Sequence, residues 1–131
     1  MDLKAITRQL FATNSGTDVD RLVKRLVKES AQQREVVVEI LMDYARRGPV
    51  QHWREFVMLR ILDLVEPGQD EHRGFFEETL RDPRTAYWSV SGLMKTAGRR
   101  SYETLTSCAL DTSVEAEVRA NAVRCLARDG R

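Results

Sequence analysis

Histidine and cysteine are scarce, with two of each in the whole chain. A structural zinc site draws four such ligands at close spacing, and neither His52 nor His72 has a second His or Cys beside it. Cys108 and Cys125 each fall within a helical apolar pattern and read as small reduced core residues, neither disulfide partners nor nucleophiles. Three prolines and seven glycines leave little room for a disordered linker or tail. Long apolar runs are missing too. Val36-Val37-Val38 and Phe56-Val57-Met58-Leu59 fall far short of the roughly 20 residues that a spanning helix needs. The first ten residues carry Asp2, Lys4 and Arg8 where a signal peptide would be apolar. Charge nearly cancels at +1, so no global field draws the chain toward DNA or lipid. No phosphate-cradling glycine loop or nucleophile elbow is present. These absences set the expectation of a cytoplasmic, non-catalytic protein without metal, cofactor or membrane contact, its histidines lying on helix surfaces.

What is present is helix rhythm from end to end. A first helix is expected over about residues 3 to 12, closed by Thr13-Asn14-Ser15-Gly16. Thr17 with Asp20 reads as a capping box, followed by the one-sided stripe Val19, Leu22, Val23, Leu26 and Val27. A separate helix is expected from about 33 to 46, stopped by Gly48-Pro49. The next, about 51 to 65, carries Met58, Leu59 and Leu62 beyond a single stripe and reads as the most buried helix. Pro67-Gly68 ends it. Further helices are expected over about 70 to 81, from Asp82-Pro83 to Gly98, over 101 to 110, and after Thr112 with Glu115 as a second capping box. Loops of two to five residues favour antiparallel neighbours in one domain spanning residues 1–131.

The run Val118-Arg119, Ala122, Cys125-Leu126 after Asp111 repeats a pattern that starts at Asp82-Pro83, about thirty residues earlier. Over about the last fifty residues it resembles a HEAT-like repeat of the phycobilisome-lyase type. Tyr87-Trp88 departs from that pattern by standing where a Val-Arg pair is usual. The resemblance implies an all-α fold, a right-handed α-solenoid of three to four antiparallel HEAT-like hairpins. It also implies structural roles for Asp82, Asp111 and Arg119, the turn Asp pairing with the helix Arg of a neighbouring repeat. Glu71-His72 bears only a superficial likeness to the His-Glu pairs of iron-binding helical-repeat hydroxylases, which carry several such pairs in the opposite order.

Charge patterning supplies the candidate site. Glu35, Glu39 and Asp43 stand at i, i+4 and i+8 on one helix face. Glu71, Glu77 and Glu78 give the 70–81 segment an acidic excess, and Glu103 adds to the 101–110 helix. These seven residues are the expected partner-binding set, facing a basic protein. By analogy, immunity proteins of bacterial contact-dependent or polymorphic toxin systems are often small single domains of this kind. The expected function is therefore neutralisation of a toxin domain, such as a nuclease, by a monomer. Two other readings compete with it. A scaffold or adaptor would expose Phe75, Phe76 or Trp53 as an apolar patch. A nucleic-acid face would use Arg84, Tyr87, Trp88, Lys95, Arg99 and Arg100, and the near-zero net charge disfavours it.

Overall fold

A computed structural model describes residues 2–130, with the side chains at 51, 52, 129 and 130 left aside. Among the described residues the regular structure is entirely helical, and no helix is long and apolar enough to cross a membrane. The chain divides into two compact units, one running through Leu64 and the other starting at Val65.

In the first unit, α1 (Leu3–Ala12) matches the expected span, and Asp2 caps it by accepting from the Ala5 amide at 2.8 Å. The helix that follows, α2 (Gly16–Arg47), comprises two helical arms joined across a kink. Its arms are the two helices expected between residues 17 and 46, joined with no loop between them. Ser15, rather than Thr17, caps it, because its hydroxyl already takes the Asp18 amide. The expected break survives as a kink at Gln33, where φ is −134° and ψ is 50°. Just before it, Ser30 turns its hydroxyl back onto the Val27 carbonyl, a bond that competes with the helical ladder.

Ile6 and Leu10 of α1 meet a long buried stripe on α2, which includes Leu22, Leu26, Leu41 and Met42. Each such side chain contributes about 1.5–3 kcal/mol of transfer free energy. Gly48 ends α2 with an ordinary negative φ. Its glycine identity comes from crowding, since a Cβ there would stand 2.5 Å from the Tyr44 ring. The next helix, α3 (Gln51–Leu64), packs on α2 through Val57, Met58 and Ile61. It is not the most buried helix, because Leu59 is 40% exposed while α2 supplies more of the core. The side chain of His52 lies outside the described residues.

In the second unit, Pro67-Gly68 forms the expected turn, with Gly68 at φ +84°. The helix expected over 70–81 is shorter: a single 3-10 turn (Asp70–His72) leads into the two-turn α4 (Arg73–Thr79). His72 is buried, not a surface residue. After α4 the chain turns at Asp82, whose carboxylate accepts the Arg84 amide at 2.9 Å. The next helix, α5 (Ala86–Ala97), ends at Gly98, whose φ of +54° excludes most other residues. Buried hydroxyls join α4 to α5: Thr85 donates to the Thr79 carbonyl, and the Thr79 and Ser89 oxygens lie 2.7 Å apart. The Phe76 ring rests directly against Gly92 of α5.

A 3-10 turn (Gly98–Ser101) then leads to α6 (Tyr102–Leu110) and finally α7 (Ala116–Gly130). The Thr112–Glu115 capping box does not form. Asp111 takes the Ser113 amide at 2.9 Å and its hydroxyl at 2.7 Å, and α7 starts only after Glu115. On α7, Asn121 donates to the Tyr87 carbonyl and to Ser91, fastening α7 to α5.

Candidate functional site

Three of the seven expected carboxylates converge. Glu35, Glu39 and Asp43 lie along the second half of α2, one helical turn apart, and border a shallow groove of about 580 Å3. Val36 and Ile40 form its apolar floor, Thr7 of α1 closes one side and Arg46 stands at the end. Val36 is 48% exposed on the groove floor, between Glu35 and Glu39.

The three acids are not equivalent. Asp43 is engaged by Arg47 in a two-pronged pair, with nitrogen–oxygen distances of 2.9 and 2.6 Å. That pair raises the Arg47 guanidinium above its ordinary value, and Arg47 also lies over the Phe11 ring at 4.7 Å from its centre. Glu35 and Glu39 hold no ion pair or side-chain hydrogen bond among the described residues, and both are exposed. The free negative charge of the groove is therefore theirs, set on either side of Val36.

Glu103 lies in the second unit and lines a different cavity, of about 590 Å3. Glu71, Glu77 and Glu78 are exposed and line neither cavity. Sequence reasoning missed most of the second cavity. Its walls include Arg81 from the turn after α4, Ser107 and Cys108 from α6, and Glu115 and Val118 around the start of α7. The available signal was the spacing of Glu103, Ser107 and Asp111, which repeats the i, i+4, i+8 pattern of the α2 acids.

Asp111 and Arg119, expected to pair across repeats, serve local ends first. Hydrogen bonds from Ser113, helped by the nearby Arg119 charge, hold the Asp111 carboxyl below its usual range. Arg119 donates to the Val114 carbonyl at 3.0 Å. Asp82 and Asp111, 29 positions apart, thus open their turns with the same bond to the amide two residues on.

Burial pushes both thiols up; the Asp111 charge adds to this at Cys108, while Arg128 and Arg124 oppose it at Cys125. The two are free; Cys108 is buried, but Cys125 is only half-buried instead of a core residue. Among the described residues no three His, Cys, Asp or Glu side chains gather as metal ligands.

The competing faces fare differently from expectation. Phe75 and Phe76 are buried and cannot form an exposed scaffold patch, and Trp53 is half-buried with its indole over Gly16. On the basic side, Arg100 is drawn to Asp70 at 3.2 Å, and Tyr87 receives a hydrogen bond from Arg124. Comparison with protein-family models, curated proteins and solved structures gave no match.

Proposed function

We propose that this chain is a non-catalytic protein-binding module that docks a basic partner surface on the α2 groove. The observation that carries the reading is the pair of unpaired carboxylates, Glu35 and Glu39, flanking exposed Val36. An apolar centre with a charged rim is the usual anatomy of a protein contact. Carboxylates on that rim speed encounter with a cationic partner and select against acidic ones. In its most specific form the partner is the nuclease domain of a toxin, whose cationic active site the acids cover in place of nucleic acid. The role is then that of an immunity protein, in a chain built as a right-handed solenoid of HEAT-like hairpins. The twin turns at Asp82 and Asp111 support that repeat reading.

The test is charge reversal in a tagged protein. Wild type and a Glu35→Lys/Glu39→Lys variant are used to capture partners from native lysate, and retained proteins are identified by mass spectrometry. A basic protein held by wild type and weakened at least tenfold in the variant is the expected result. Exposed sites of this kind change stability by within about 0.5 kcal/mol, so urea midpoints should coincide. Equal retention by both proteins would sink the groove as the docking site.

A further inference from the structure

The cavity of the second unit has a chemistry of its own. One face of α6 forms its long side, from Glu103 through Ser107 and Cys108 to Asp111. Eight residues of helical rise make that side about 12 Å long. Leu80, Ala86, Cys108 and Val118 give it an apolar floor. Three carboxylates on the rim, Glu103, Asp111 and Glu115, face one guanidinium, Arg81.

These charges differ in how far they are committed. Asp111 is held by Ser113. Glu103, Glu115 and Arg81 hold no ion pair or hydrogen bond of their side chains among the described residues. The free acids come from α6 and the segment after Asp111, while the free guanidinium comes from the turn after α4. The cavity therefore presents a polarised rim around an apolar floor.

We propose that this cavity seats an extended segment of a partner protein, three to four residues long, with a lysine side chain laid along the floor. Extended chain advances about 3.3 Å per residue, so a side of about 12 Å matches that length. Lysine fits because its methylene stem lies along apolar surface while its ammonium stays with charge, here Glu103 and Glu115. Arg81 repels the ammonium toward the α6 side and offers donors to the segment's carbonyls. That the lysine belongs to a protein rests on the protein-binding reading above; the lysine chemistry itself does not.

The test is an amide-shift titration by NMR on the whole chain with acetyl-Leu-Lys-Leu-Lys-amide, with acetyl-Leu-Glu-Leu-Glu-amide as the charge control. Saturating shifts at residues 103–118 with the lysine peptide, absent with the glutamate peptide, are expected. Ser107→Trp, an exposed helical position that fills the cavity without changing charge, should abolish them. Glu103→Gln/Glu115→Gln should weaken binding about three- to tenfold, the range for two rim charges. Equal shifts from the glutamate peptide, or shifts that survive Ser107→Trp, would overturn the proposal.

Shifts confined to residues 35–46 would also overturn it, while leaving the protein-binding reading intact. Binding of n-hexylamine without binding of the peptide would overturn the partner segment in favour of a free amine. Cavity shifts together with partner capture that ignores Glu35→Lys/Glu39→Lys would uphold the cavity and remove the α2 groove.

Discussion

Replacing Gly92 with alanine sets two calculable effects against each other. Alanine in a helix interior is favoured over glycine by about 1 kcal/mol, so propensity alone makes Gly92→Ala stabilising. The structure reverses the sign. A Cβ at position 92 would stand 2.3, 2.4 and 2.6 Å from three ring atoms of Phe76, far inside van der Waals contact. Phe76 has no room to retreat, being fully buried and set edge-on to Phe75 at 5.1 Å.

Forcing extra volume into a packed core costs about 1–3 kcal/mol, so the helix gain is cancelled or outweighed and the net expectation is a loss of up to about 2 kcal/mol. Gly74→Ala is the internal control. Gly74 sits in α4, where a methyl group would meet nothing within 4 Å, and the substitution should gain about 0.5 kcal/mol. Urea unfolding followed by circular dichroism measures both. A double-mutant cycle with Phe76→Leu should show a coupling above about 0.5 kcal/mol, because the smaller side chain vacates the clash. A Gly92→Ala protein more stable than wild type, as propensity alone predicts, or equal responses at the two glycines, would refute the packing argument.

Two further expectations concern ionisation and reactivity. Asp111 has its folded pKa lowered, so its contribution to stability is present above the unfolded carboxylate range and is lost as pH falls through the folded value. An Asp111→Ala variant should therefore start less stable at neutral pH and lose less on acidification; urea midpoints across the acidic range check this, and parallel curves would contradict it. Both thiols are raised by burial, so alkylation of the native chain should be slow at neutral pH, slower at buried Cys108 than at half-buried Cys125. Mass spectrometry of iodoacetamide-treated protein reads the order, and faster modification of Cys108 would count against the burial described.

The parts of the fold that follow from local chemistry were legible in the sequence. The span of α1, the Pro67-Gly68 turn and the stop at Gly98 all rest on caps, fixed φ angles or positive φ, which act within a few residues. The break near residue 33 was legible too, but not its form: the polar run from Ser30 to Arg34 carries the composition of a loop, while the two helical arms of α2 meet directly in a kink at Gln33. The burial of His72 depends on packing that residues far along the chain provide. Among the expected site residues, Glu35, Glu39 and Asp43 emerged from spacing alone because one helix carries them all. The second cavity did not, since Arg81, Cys108 and Val118 stand on three separate segments that only the folded unit brings to one cavity. The acids at 71, 77 and 78 show the limit of counting charge, which gives a segment's sign without saying what surrounds it.

The kink at Gln33 has a mechanical consequence. Residues 31 to 36 are all exposed, so the longest helix of the chain has its irregular point in solvent, just before the buried Val37 and Val38. Arg34 stands beside that point, offering trypsin a cut in the middle of a helix, where proteases rarely find one. Glu35, the first residue of the acidic groove, is next to it. A partner seated on the groove would therefore splint the helix as well as contact it, and part of its binding free energy would go into stiffening the joint.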